Sequence, residues 1–440
     1  MSAAEQRRAL EQTLQLAKKL APGSDAQVST TWSREANTRF ARSEITSNGD
    51  VDETRVELTL ASGKRHASAA SNQLSPEALR SLVERTARLT RLSPEDPELM
   101  PPLPPQRYAR AAPAWDEATA ALEAKARADA IVQAIAAADE RKLELAGFYE
   151  HSGSRSMFGN SAGLFAEHAG TSASFSVTAR TSDGKGSGWA AADSHRRSFD
   201  PAVLARTAMD KAVASARSTG LPPGRMTVVL EPAAVADLLE WMHNALDARP
   251  AEEGRSVFAR QGGGTLLGDK LFADAVSLTS DPADPTLPTA PFDGEGLPLR
   301  RTSWIDGGVL RALHCSRYWA KKTGRTPLGA PRGLRLSPGS ATTEELVRGT
   351  KRGLLVTRLW YLRMLEPRQL LVTGLTRDGV FRIEDGEIVG AVNNFRFNQS
   401  PVALLRNVEA LGKDLFRHGD LLVPAVRAAD FNLASVSAAS

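Results

Sequence analysis

Apolar positions along this chain change their period several times, and each change marks a switch between helix and strand. Leu10, Leu14, Ala17 and Leu20 fall at helical spacing ahead of Pro22 and Gly23, which predicts a first amphipathic helix. Strand-like segments follow at Ala26 to Trp32, Thr38 to Thr46 and Arg55 to Leu60, with Ser62-Gly63-Lys64 as a turn. Ser75 as a cap, Pro76 behind it, and Leu79, Leu82, Val83 and Leu89 on one side predict a second helix. The run PPLPPQ (Pro101 to Gln106) suits neither a helix nor a central strand, so Leu92 to Pro113 reads as an extended connector. Trp115 to Ala138 is alanine-rich and helical. From Leu143 to Asp193, Phe148, Phe158, Phe165, Phe175, Val177 and Trp189 alternate with Ser and Gly, the pattern of an antiparallel meander with one buried face. Asp200 and Pro201 start a further helix to Ser218, and Leu221-Pro222-Pro223-Gly224 then breaks the chain.

The second half opens with a strand at Met226 to Leu230 and a helix at Pro232 to Ala248. Val235, Leu238, Leu239, Met242 and Leu246 form that helix's apolar stripe, while Glu240, His243, Asn244 and Asp247 lie around toward the other side. Glu240 and Asn244 are then one turn apart, on a face suited to lining a cleft or an interface. Gly262-Gly263-Gly264 reads as a flexible tether. From Arg352 the pattern is strongly β, with Asp378-Gly379 and Asp385-Gly386 as hairpin turns. Val402 to Lys413 reads as a helix before a last strand-like stretch. The expected fold is α+β. It comprises an N-terminal α/β domain over 1–220, with an antiparallel sheet flanked by helices, and a β-rich, barrel-like domain over 225–440.

Charge and composition remove several function classes. The net charge is only +4, from 55 basic against 51 acidic side chains, and no basic stripe carries interleaved aromatics. A nucleic-acid face is therefore not expected. No stretch approaches the ~20 apolar residues of a membrane span, and the N-terminal segment lacks the apolar run of a signal peptide. Cys315 is the only cysteine, so no internal disulfide can form, and a reducing cytoplasm is the expected location.

Candidate chemistry is sparse. None of the seven histidines lies three to five positions from another, so no helix offers a paired-imidazole clamp. A metal site from distant ligands would have to draw on Glu240, His243, His314 and Cys315, whose donor types suit zinc. The competing reading puts His243 on the outer helix face and His314 and Cys315 at a strand end. Gly-x-Ser-x-Gly does not occur. GKGSG (Gly184 to Gly188) lacks the spacing of a phosphate cradle and reads as a surface turn. Lys321-Lys322, beside Tyr318 and Trp319, reads as a helix end in water.

Longer segments carry a resemblance. LEPAAVADLL leads into EEGRSVF (Glu252 to Phe258), followed by FDGEGLPLRRTSWIDGGVLRAL (Phe292 to Leu313). The block from Arg352 to Pro401, RGLLVTRLWY through LLVTGLTRDGVFRIEDGEIVGAVNNFRFNQSP, and the ending VPAVRAADFNLASVS complete the set. In this order they resemble the TldD/PmbA family of peptidases over essentially the whole chain. That resemblance implies peptide cleavage by a TldD-type subunit carrying a His-Glu-x-x-x-His helix and a distant Cys ligand. Laid on this chain, the motif puts Leu239 at the first His, Glu240 at the Glu and Asn244 at the second His, and Leu411 to Ser440 has no Cys. The chain thus looks like the PmbA (TldE) side of the family, without a catalytic metal of its own. The resemblance implies a heterodimer with a TldD-type catalytic subunit that holds the zinc, and an extended peptide as substrate. Glu240, His243 and Asn244 are the expected substrate-facing residues. Two other readings stay open: an autonomous metallopeptidase with a rearranged site using His243, His314 or Cys315, and a homodimeric binding or scaffold protein.

Overall fold

The computed structural model describes residues 1–437. The first half is one six-stranded, wholly antiparallel sheet in the order β3-β2-β1-β4-β5-β6. Helix α1 (Ala3–Leu20) precedes β1 (Asp25–Ala41), β2 (Glu44–Ser62) and β3 (Arg65–Ser71). Helices α2 (Pro76–Leu92), α3 (Glu117–Ala120) and α4 (Ala124–Glu140) then lead to β4 (Leu143–Asn160), β5 (Phe165–Thr181), β6 (Ser187–Ser194) and α5 (Pro201–Ser215).

Alternation decides what each face of this sheet meets. Phe175, Val177 and Ala179 of β5 pack with Ile131 of α4 and Met209 of α5, whereas Val28, Val56 and Leu58 pack with Leu10 of α1 and Leu79 of α2. The intervening Ser172, Ser174 and Ser176 point to the opposite face of β5.

The second half begins with β7 (Gly224–Leu230), α6 (Pro232–Leu239), α7 (Met242–Ala245) and α8 (Ala248–Glu252). Short strands β8 (Leu278–Ser280), β9 (Thr302–Asp306) and β10 (Val309–Leu310), helix α9 (Arg317–Thr323), β11 (Leu334–Leu336) and α10 (Thr343–Arg348) follow. Then come β12 (Arg352–Glu366), β13 (Leu371–Glu384), β14 (Glu387–Ala391), β15 (Phe395–Gln399), α11 (Pro401–Arg406), β16 (Val408–His418) and β17 (Leu421–Val436). The path β17-β15-β13-β12-β7 closes because β7 also pairs with β17, so five strands form a barrel. Val228 and Leu230 enter one core with α6 while Val229 enters another with Leu346 and Phe381, which explains the unbroken apolar run in β7.

Several sequence expectations are corrected. Thr38 to Thr46 is not one strand, because Arg42 and Ser43 turn the chain there with φ of 52° and 57°. A two-residue hairpin turn without Gly or Asn leaves no sequence signal. The helix expected at Trp115 to Ala138 is two, interrupted after Ala120. Asp378-Gly379 is a bulge inside β13 rather than a hairpin turn, with the Thr357 hydroxyl donating 3.0 Å to the Gly379 carbonyl. Asp385-Gly386 does turn the β13–β14 hairpin. Gly262 to Gly264 form an ordered turn closed by Arg260 N–H to the Gly264 carbonyl, 3.0 Å. The helix expected to Lys413 stops at Arg406, and β16 starts at Val408.

Candidate functional site at the sheet junction

Helix α6 begins at Pro232 and buries Val235, Leu238 and Leu239 in the barrel core, Leu239 at 1% exposure. It does not run on to Ala248. The Glu240 N–H closes the last turn on the Ala236 carbonyl, a turn intervenes, and α7 restarts at Met242. Glu240 and Trp241 keep right-handed helical dihedrals through that turn, so the apolar stripe continues from Leu239 to Met242 and Leu246. Glu240 and Asn244 are exposed, and His243 is half-buried.

The acidic side chain of α6 that faces the protein is Asp237, one turn before Glu240. It accepts a hydrogen bond from the Leu359 N–H of β12 at 3.0 Å. Burial pushes its carboxyl up to about 6, against the opposing pull of that N–H, Arg358 and His418, and nearby Glu240 adds to the rise. The neighbouring Arg358 lays its guanidinium over the Trp189 ring at 4.5 Å and reaches Asp378 Oδ2 at 3.3 Å. Asp378, 1% exposed, also accepts from Ser187 Oγ at 2.5 Å. Trp189 and Ser187 belong to β6, so this network ties the sheet to the barrel.

The surface-turn reading of Gly184 to Gly188 holds for the exposed Gly184 and Lys185 and is corrected for Gly186 to Gly188, which are buried. Ser187 is buried, and a Cβ on Gly186 or Gly188 would lie 2.2 or 2.1 Å from a carbonyl oxygen of α5. These glycines let the helix approach the strand.

Beside the network lies a cleft of about 510 Å³ between β5, β6 and the β16–β17 turn. Its lining includes the Ser172, Ser174 and Ser176 row, Trp189, Asp193, Arg358, Arg417 and His418. Asp193 accepts from the Gly419 N–H at 2.8 Å, and Arg417 Nε lies 3.9 Å from its other oxygen. Burial still holds the Asp193 carboxyl above its ordinary value, beyond what Arg417 and that N–H offset. Opposed polar and charged groups around an aromatic wall suit a ligand with hydrogen-bonding groups along its length.

Sequence reasoning missed Asp237, Arg358 and Trp189. A signal existed for the first, since a carboxylate inside PAAVADLL is costly to bury unless something receives it.

The residues present do not fit a zinc ion. Leu239 points into the core, and Asn244 offers only an amide. His314 sets Nδ1 2.7 Å from the Leu328 carbonyl, while its backbone pairs with Leu246 and Ala248. Cys315 is 5% exposed and burial pushes its thiol up, away from the thiolate a metal requires. Among the described residues no three His, Cys, Asp or Glu side chains gather as a metal site. The basic pair at Lys321-Lys322 also has company: Lys322 lies 4.8 Å and Arg249 5.2 Å from the Trp319 ring.

Comparison with known proteins gives the same frame. Residues 223–435 match the PmbA/TldA metallopeptidase C-terminal domain, and residues 114–216 match its central domain. A metalloprotease of Methanothermobacter thermautotrophicus is 28% identical over 60% of this chain and 61% of its own length. Metalloprotease PmbA of Escherichia coli O157:H7 is 26% identical over 96% of this chain and 97% of its own. Among solved structures, TldE from Thermococcus kodakarensis superposes with a TM-score of 0.86 at 18% identity, covering 96% of this chain and 99% of that one. A Thermotoga maritima protein described as a candidate modulator of DNA gyrase gives 0.85 at 20% identity, covering 97% and 99%. With the domain matches, the full-length relative and the fold in agreement, the chain belongs to the PmbA/TldD metallopeptidase family.

Proposed function

We propose that this chain is the non-catalytic, peptide-handling subunit of a TldD/TldE-like heterodimeric metallopeptidase. The observation that carries the proposal is the inward-facing Leu239, a core side chain at the position where the family's first histidine would stand. A chain that fills that position with packing cannot activate a metal-bound water there, so the zinc and the hydrolytic step fall to a TldD-type partner.

The cleft at the sheet junction supports the peptide-handling part. Its serine row, Trp189 and paired charges can hydrogen-bond a main chain and pack against side chains without selecting a sequence. Glu240, His243 and Asn244 are not among the residues lining that cleft; on this reading they face a chamber shared with the partner. The only cysteine is a free thiol, which suits a reducing cytoplasm, and among the described residues no helix is long and apolar enough to cross a membrane.

The test compares zinc content and peptide hydrolysis of the purified chain alone and after co-expression with a paralogue carrying His-Glu-x-x-x-His. The expected result is no stoichiometric zinc and no hydrolysis alone, with both present in a co-purifying complex. Stoichiometric zinc and peptidase activity in the single chain would overturn the proposal.

A further inference from the structure

The open N-terminal sheet ends on a strand that is paired on one side only. From Glu44 to Arg55, β2 pairs with β1, while β3 covers only Val56 to Ser62. Ten of these twelve residues are exposed, and Gly49 and Thr54 are half-buried. The segment EITSNGDVDETR is thus an extended edge of about 40 Å at the usual rise per residue.

Edge strands are normally kept short, broken by a proline or bulge, or guarded by lysine. No proline and no lysine stands between Glu44 and Arg55; the one bulge makes Thr46 the extra residue opposite Arg39 and Phe40, beside the hairpin turn, and Ser47 to Arg55 runs on without a break. The edge carries four carboxylates, Glu44, Asp50, Asp52 and Glu53, against Arg55, a net charge of −3. Asp50 leans back on Arg34 at 2.6 Å, and Asp52 accepts from Trp32 Nε1 at 2.9 Å. Glu44 and Glu53 make no such contact with β1 among the described residues and stand exposed to an incoming chain.

We propose that the Glu44 to Arg55 edge is a docking strand for an extended, lysine- or arginine-bearing polypeptide segment, which adds to β2 through main-chain hydrogen bonds. The charges select the occupant. A second copy of this edge would set −3 against −3, so the carboxylates act against self-pairing while attracting a basic strand. This edge lies at the far side of the sheet from the β5–β6 cleft, so the inference does not depend on that cleft's role.

The experiment uses the full chain and ten-residue peptides with Thr and Val on one face and Lys, Glu or Gln on the other. Binding is read by fluorescence anisotropy at low salt and located by amide hydrogen exchange. The lysine peptide is expected to bind about tenfold tighter than its glutamate counterpart. It should protect amides within residues 44–55 and lose that binding when alternate peptide nitrogens are methylated. The double variant Glu44→Gln/Glu53→Gln, whose exposed side chains are not needed for folding, should narrow the Lys-over-Glu preference. No lysine-peptide binding, indifference to N-methylation, an unchanged preference in the double variant, or protection confined to the β5–β6 cleft would each overturn the proposal. The last result would leave the peptide-handling role of the cleft standing.

Discussion

Leu239 and Asp237 sit two residues apart on α6 and meet opposite surroundings. Leu239 is closed into the barrel core. Asp237 is a half-buried acid fixed to the Leu359 N–H of β12. Glu240, one turn beyond Asp237, stands in solvent. On the proposed reading, the contrast teaches that this helix serves packing at the positions where the family motif would place chemistry. One is filled with hydrocarbon, one faces water, and the acid that touches structure lies outside the family motif.

The largest test of this contrast restores the motif. Leu239→His with Asn244→His is expected to lower stability by about 3–5 kcal/mol, because an imidazole replaces a packed leucine without a partner. It should gain no stoichiometric zinc. Urea denaturation and metal analysis read the two halves, and a stable, zinc-loaded variant would break the contrast.

The next test concerns pH. The Asp237 carboxyl is raised in the folded state to about 6 from an ordinary 3.8, so its protonated form is the one folding favours. Its contribution is full below about pH 4 and is lost as pH rises through about 6. Relative to Asp237→Asn, the wild type should therefore gain on the order of 2–3 kcal/mol between pH 7.5 and pH 4. His151 slopes the other way. Burial and Arg127 hold it down to about 4, so stability present above about 6.5 is lost as pH falls toward 4. The wild-type-minus-variant difference, measured by denaturant midpoints, isolates Asp237 from that background.

Breaking the Asp237–Leu359 hydrogen bond with Asp237→Ala should cost about 1–3 kcal/mol at neutral pH. The cost should show as faster hydrogen exchange at the start of the outer half of β12. The smallest effect belongs to the solvent side. Glu240→Gln and Asn244→Ala should stay within about 0.5 kcal/mol of wild type, and a larger loss in the isolated chain would show that these side chains pack.

How much of this was legible in the sequence differs between helix and site. The stripe Val235, Leu238, Leu239, Met242 and Leu246 is buried as its periodicity requires, and the Ser75 cap and Pro76 start α2 where expected. The turn at Glu240 was not legible, because Glu, Trp, Met, His and Asn carry no helix-stopping signal and the backbone keeps helical dihedrals while its hydrogen-bond ladder is interrupted. Asp237 was hidden beside the stripe. Its partners Leu359 and Arg358 lie more than a hundred residues along the chain, and no local pattern reports a pairing of that range. The Asp378-Gly379 dipeptide looks like a hairpin turn in sequence because bulge and turn ask for the same positive φ.

The closing pair of the barrel carries a consequence for synthesis. Strand β7 ends at Leu230, and its partner β17 does not begin until Leu421. At the usual 5–20 residues per second, roughly 190 residues must emerge in between, on the order of 10–40 s. Through that interval β7 and the apolar stripe of α6 leave the ribosome before the strand that completes their enclosure. This half of the chain is therefore exposed to chaperones and proteases until its last strand arrives.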